Sequence, residues 1–456
     1  MRSLTSEQLA IGLVFIAMAA LACLSPVKSD TWWLLRSGLD TIATLQVPLH
    51  DTYTHTARGA FWPNHEWLTG LLFYGLYRAG GMPALVAGCA LLSVSAWVLS
   101  WRMMRGPFEL RLVLFVSCIA AAAGGFAIRP QVFTVAAFAL SCWLLSTKRE
   151  WWLPPILLVW ANLHGAVALG LIAVAGAIGA ALFWNRRRLP SLLLAATASA
   201  AATLVSPLGW RLWTFIPESM QRSAINQLSE WQRPGLTLDL VPFWICAVIL
   251  PVVVLWRWRR LDERAATLAA IALATLPLAL LAIRNVHVFL LAAMPALSSA
   301  LERRDAPPPR PPRGERGGVN ALVFNAAMVV GAIVVVGAWL RPTPAMGWSP
   351  MSDAARARIA SCPDRLYNTY ADGGELIWFV SEKEVFIDNR QDPFSPEVLR
   401  DNKRLELDGD FGQVFKKYGI RCAVVPMDTP LDRSLGATAG WQLIHDEPRW
   451  RVYVER

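Results

Sequence analysis

The chain alternates long apolar runs with short polar breaks. Several runs approach the roughly 20 residues that span a bilayer as a helix. Read that way, they predict crossings at about 9–25, 82–101, 111–128, 131–147, 152–163, 165–184, 190–206, 240–257, 265–282, 286–301 and 320–340. The run Trp67 to Arg78 is apolar but short, which predicts a helix lying at the membrane surface or dipping partway into it. The run from Leu9 lacks a clear small-residue cleavage site and leads into further apolar segments, so it reads as an anchor helix and not a cleaved signal peptide.

After about residue 342 the pattern changes to that of a small soluble module. RLYNTY (365–370) and EVFIDNR (384–390) read as strands around a GGELIWFV helix (373–380). PEVLRDNKRLE (396–406) and DFGQVFKKYG (410–419) read as helices, and CAVVP, WQLIHDE and WRVYVER (422–426, 441–447, 450–456) as strands. The expected fold is a mainly α polytopic membrane protein of about 11 transmembrane helices with a small C-terminal α/β domain. The expected domains are residues 1–341, with a first outer loop 26–66, a second outer loop 206–240 and a Pro/Arg/Gly-rich linker 302–319, and residues 342–456.

Composition agrees: 55% of the 456 residues are hydrophobic and 17% charged, where a soluble protein carries about 25% charged residues. The net charge of +10 does not point to nucleic acid. Five short clusters, within 102–111, 148–150, 186–188, 257–264 and 302–316, hold an excess of Lys and Arg over acids equal to that whole net charge. Basic residues in short loops mark the cytoplasmic side. That places the N-terminus and the linker inside, the C-terminal domain outside, and the polar motifs around Asp30, Arg129, His164, Glu230 and Arg284 on the outer side. Ionisable groups at bilayer depth are kept where function or pairing demands them. Cys23, Cys89, Cys118, Cys142 and Cys246 fall in apolar runs, whereas Cys362 and Cys422 could pair if their region is extracytoplasmic.

Candidate chemistry gathers in the first outer loop. Asp30 follows the first helix closely, so its carboxylate could hold a divalent cation such as Mg or Mn beside a lipid phosphate, or act as general base on an acceptor hydroxyl; it could equally flank or cap a helix. Asp51 in PLHDTYTHT is the second carboxylate, or a turn Asp after Pro48. His65 and Glu66 could contact phosphate and sugar hydroxyls, or Glu66 could be a first-turn helix acid. Trp33, among Trp32 and Trp62, could stack on a sugar, although tryptophan at interfaces is ordinary belt behaviour. Arg129 and Arg284 stand alone at the ends of apolar helices, suited to phosphate or to snorkelling. His164 and His287 could serve as phosphate donors or acids, or be satisfied intramembrane histidines. Glu230 and Trp231 could contact the acceptor. Asp388 and Arg390 could simply pair with each other.

Taken together, DTWWLLRSG (30–38), VPLHDTYTHT (47–56), HEWL (65–68), RPQ (129–131), NLHG (162–165), SPLGW (206–210), SEW (229–231) and FIDNR (386–390) make the chain resemble the GT-C superfamily of integral membrane glycosyltransferases. That superfamily includes protein O-mannosyltransferases and the lipid A aminoarabinose transferase; more narrowly, the motifs look like those of a bacterial set of poorly defined substrates. The resemblance covers essentially the whole chain. It implies a transferase that moves a sugar from a polyprenyl-phosphate carrier to a periplasmic acceptor (a glycan, lipid or protein) at the bacterial inner membrane. Asp30 matches the first-loop acid that serves the family as base or metal ligand. The family's lipid A and protein transferases carry an adjacent acidic pair there; here Thr31 follows Asp30, so whether Asp51 compensates stays open. The rival expectations are a transporter or flippase, which tends to show internal repeats absent here, and a non-catalytic GT-C-like scaffold.

Overall fold

The computed structural model describes residues 5–122, 125–225, 229–302 and 346–456, with a few positions between 323 and 337. The expected linker 302–319 and the expected crossing 320–340 fall almost wholly outside the described residues. The chain forms two compact units: residues 1–25 with 83–342, and residues 26–82 with 343–456. The second unit therefore joins the first outer loop to the C-terminal residues.

The first unit is a helix bundle. It contains α1 (Ser6–Cys23), α4 (Phe108–Ala121), α5 (Gln131–Ser146), α6 (Leu153–Leu163), α7 (Ala168–Trp184), α8 (Leu189–Thr203), α9 (Arg211–Ile225), α10 (Val241–Arg257), α11 (Glu263–Leu281) and α12 (Val286–Leu301). Six described helical segments are long and apolar enough to cross a membrane, and the chain is a membrane protein. A Thr5–Gln8 capping box starts α1, and the Asp262 side chain caps α11. Nearly every residue of α12 is buried, which makes it the spine of the bundle. Two features were not foreseen. Helix α9 occupies the expected second outer loop, and the basic cluster at Arg188 is not merely solvated: its guanidinium donates to buried Glu150 at 2.9 Å.

The helical stretch α3 (Trp67–Met103) is two helices joined across a kink at Gly80 and Gly81, so the apolar run 67–78 forms a helix of its own ahead of the next predicted crossing. Gly81 has φ +66°, a conformation that L side chains rarely adopt, and Pro83 follows. The boundary between the two units falls at this interruption.

The second unit begins with α2 (Ser29–Thr44), where the sequence reading placed a loop. Its apolar residues Trp32, Trp33, Leu34 and Leu35 are buried, and it ends at Leu45 in the left-handed region. Gly38 of α2 lies so close to Gly70 of α3 that a Cβ would come within 2.1 Å of the Gly70 carbonyl oxygen. The C-terminal part supplies β1 (Leu366–Asn368), β2 (Cys422–Val425), β3 (Trp441–His445) and β4 (Arg451–Glu455) in the order β1-β2-β4-β3. β1 and β2 are parallel and the other pairs antiparallel. Around this sheet lie α13 (Asp353–Ala360), α14 (Gly373–Phe379), α15 (Pro396–Asp408), α16 (Gly412–Tyr418) and α17 (Pro430–Ala437). Cys362 and Cys422 form a disulfide.

EVFIDNR is not a named strand. Its partner is the segment 53–56: Val385 N–H donates to the Tyr53 carbonyl at 3.0 Å, His55 N–H to the Val385 carbonyl at 3.1 Å, and the Thr56 hydroxyl to the Phe386 carbonyl at 2.5 Å. One bridge, Thr54 to Val385, is all the ladder that results. The core beneath includes Ala57, Tyr367, Phe386 and Phe415, so the first loop and the C-terminal residues share one hydrophobic interior.

Candidate functional site

Within the second unit, Asp30 sits in the first turn of α2, where the helix dipole favours a carboxylate, and it is 7% exposed. Helix α14 holds the residue before it. The Ser29 hydroxyl donates to Glu375 at 2.8 Å, and the Gly374 N–H donates to the Ser29 oxygen at 3.2 Å. Arg449 donates to Glu375 at 2.7 Å and to Asp372 at 2.9 Å. Burial pushes the Glu375 carboxyl up to about 7, with Asp372 adding to the shift against the opposing pull of Arg449 and Ser29.

Asp51 has a different place. It is fully buried, accepting from the Thr54 N–H at 3.1 Å, the Thr54 hydroxyl at 2.6 Å and Arg390 at 2.5 Å. Arg390 also donates to Asp388 at 2.6 Å and lies over the Trp62 and Tyr53 rings at 4.5 and 5.0 Å. Burial works against the guanidinium, but Asp388 and Asp51 raise its pKa above the ordinary arginine value. This is the geometry of a structural ion cluster. Asp51, read from the sequence as a second acid, is thus held within this buried cluster with Arg390 and Asp388.

Trp33 is also interior. It is 5% exposed, donates its indole N–H to Asn389 at 2.9 Å, and packs edge-on against Trp62 at 5.7 Å. His65 lies 3.5 Å from Glu66 and contacts the Pro63 carbonyl at 3.0 Å. Burial opposes its charge, yet Glu66 and Asp392 hold its pKa above the usual histidine value. His55, by contrast, is lowered by burial, and its ring contacts the Leu366 carbonyl at 3.0 Å.

Within the first unit, the two arginines are not lone cations. Glu230, in the short helical turn 229–231, accepts from Arg129 at 2.9 Å and from Arg284 at 3.0 Å. The Trp231 ring stacks beneath the Arg284 guanidinium at 4.5 Å. Burial raises the Glu230 pKa, but Arg284 and Arg129 outweigh it and hold the carboxyl below its usual range. All three side chains are between 19% and 28% exposed. His164, at the end of α6, shares a 2.7 Å hydrogen bond with Thr134, which also accepts from the Trp160 indole at 2.9 Å. His287 is buried beside Gly125.

Asp30, His65 and Glu66 thus fall in one unit, and Arg129, His164 and Arg284 in the other. Glu230 is the residue that sequence reasoning undervalued; an acid in a loop of a chain with two arginines at helix ends was the available signal. Among the described residues, no group of three His, Cys, Asp or Glu side chains is placed to hold a metal ion.

No protein-family model matches the sequence, and no curated protein does. Among solved structures, the chain is similar to the oligosaccharyltransferase of Archaeoglobus fulgidus, crystallised with an acceptor peptide containing the NVT sequon tethered through a disulfide. The TM-score is 0.53 at 12% identity, covering 91% of this chain and 69% of that one. At that identity the likeness is one of fold. It agrees with the mainly helical membrane architecture and small C-terminal sheet described above.

Proposed function

We propose that the protein is a GT-C-type glycosyltransferase that moves a sugar from a polyprenyl-phosphate carrier to a periplasmic acceptor at the bacterial inner membrane. The observation that carries this reading is Glu230 shared between Arg129 and Arg284. The cluster is partly open and stands at the ends of membrane helices. Guanidinium groups offer forked donors that match phosphate oxygens, so a lipid phosphate is the complementary ligand.

Transfer needs a base for the attacking hydroxyl, and Asp30 is the candidate. The acceptor oxygen forms the new bond to the anomeric carbon as the bond to phosphate oxygen breaks. The hydroxyl proton goes to Asp30, and the departing phosphate keeps the electron pair. A single displacement of this kind inverts the anomeric centre. The disulfide between Cys362 and Cys422 suits an oxidising compartment, in keeping with a periplasmic second unit.

Purified protein in detergent, offered a panel of polyprenyl-phosphate sugars with short glycan and peptide acceptors, should release polyprenyl phosphate. Arg284→Gln should raise the KM for the donor. Movement of intact lipid-linked sugar across vesicles without cleavage would replace this reading with a flippase.

A further inference from the structure

The helices α7, α10 and α11 of the first unit enclose a groove that the proposed reaction does not use. Its volume is about 270 Å³ and its floor is made of Gly179, Ala180, Ala266 and Ala270. At Gly176 the helices are in backbone contact, since a Cβ there would come within 2.8 Å of the Ile271 Cα. One turn later they part: a Cβ on Gly179 would meet nothing within 4 Å. Small residues usually let membrane helices approach closely; at Gly179 the space they leave is unfilled.

One end of the groove is closed by Trp184 and Trp258, whose rings meet at 4.2 Å. The Trp184 indole N–H is committed to the Leu261 carbonyl at 3.1 Å. Immediately beyond these rings in sequence stand Arg186 and Arg187 on one side and Arg259 and Arg260 on the other, all exposed. Among the described residues, no ion pair occupies Arg187, Arg259 or Arg260, and the nearby acid Glu263 is already taken by Lys148 and Arg188. The flanking helix faces carry exposed Leu182, Phe183, Val252 and Leu255, which in a membrane protein is a surface facing lipid.

We propose that this groove holds one acyl chain of an anionic phospholipid, with the headgroup phosphate on the arginines past Trp184 and Trp258. The apolar floor selects hydrocarbon, and arginines with no ion pair among the described residues select negative charge over a zwitterion, as basic residues beside membrane helices do for acidic lipids. The site is independent of the transferase reading, so either can fail without the other.

The test is native mass spectrometry of the full chain in detergent, titrated in parallel with phosphatidylglycerol and phosphatidylethanolamine of identical acyl chains. Wild type should retain phosphatidylglycerol preferentially. Gly179→Phe fills the groove at a position with open space and should lose at least tenfold in retention, with an unchanged melting temperature. Arg187→Gln/Arg259→Gln/Arg260→Gln should keep lipid but lose the headgroup preference. Equal retention of the two lipids by wild type, undiminished retention by Gly179→Phe, or displacement of phosphatidylglycerol by equimolar polyprenyl phosphate would overturn the proposal. Should Gly179→Phe not fold, the arginine variant decides alone.

Discussion

Ser29 donates its hydroxyl to Glu375 at 2.8 Å although 346 positions separate them in sequence. The contact is closed by Gly374, where a Cβ would stand 2.1 Å from the Ser29 carbonyl oxygen. Overpacking of this kind typically costs about 1–3 kcal/mol. Gly374→Ala is therefore expected to lower the melting temperature by several degrees, read by fluorescence-detected unfolding in detergent. A variant as stable as wild type would show that α2 and α14 part without cost.

Glu375 makes stability depend on pH. Its carboxyl is raised by burial from 4.5 to about 7 in the folded protein. An unfolded chain therefore gives up this proton earlier than the folded one, and wild-type stability relative to Glu375→Gln falls as pH rises from about 4.5 to about 7. Below that window the two carry the same charge and the difference is level; above it the difference is level again. Melting temperatures of both proteins across pH 4 to 8 measure this, and a difference that does not change with pH would contradict it.

The Asp51, Asp388 and Arg390 cluster is expected to behave as structure. Removing one partner of a buried pair leaves an uncompensated charge and costs roughly 3–5 kcal/mol. Arg390→Met should fold poorly or melt far earlier. Asp51→Asn, which leaves Asp388 to hold the arginine, should lose less. If Asp51→Asn keeps its melting temperature yet abolishes transfer, the catalytic reading of Asp51 returns.

Glu230 competes with any anion for two arginines. Glu230→Gln should tighten binding of a polyprenyl phosphate and steepen its salt dependence, whereas Arg129→Gln or Arg284→Gln should weaken it about tenfold or more, as loss of a hydrogen bond to a charged group is worth roughly 1.5–3 kcal/mol. Scintillation proximity with labelled polyprenyl phosphate reads all three. Weaker binding in Glu230→Gln would show that the acid orders the arginines and does not compete.

The helices of the first unit were legible because a run of apolar residues near bilayer length has few other solutions. Helix α2 was not. SDTWWLLRSGLDTIAT mixes Asp30, Arg36 and Asp40 with its apolar residues, and the polar ones suggested a loop; an Arg36 to Asp40 pair at 2.9 Å, one turn apart, uses two of them on the helix itself. EVFIDNR had the composition of a strand but found its partner in residues 53–56, a pairing with no local signal. The same holds for Glu230 with its arginines and for Arg390 with Asp51. Residue types marked the candidates; which of them meet was decided by tertiary contact alone. Cys362 and Cys422 were the exception, two cysteines in one polar region and joined there.

The account turns on Asp30. Single-turnover transfer from a polyprenyl-phosphate sugar, compared between wild type and Asp30→Asn, tests it most directly. A general base typically contributes 10²–10⁴-fold, so kcat should fall at least about a hundredfold while donor affinity and melting temperature stay near wild type. Unchanged transfer by Asp30→Asn would contradict the account.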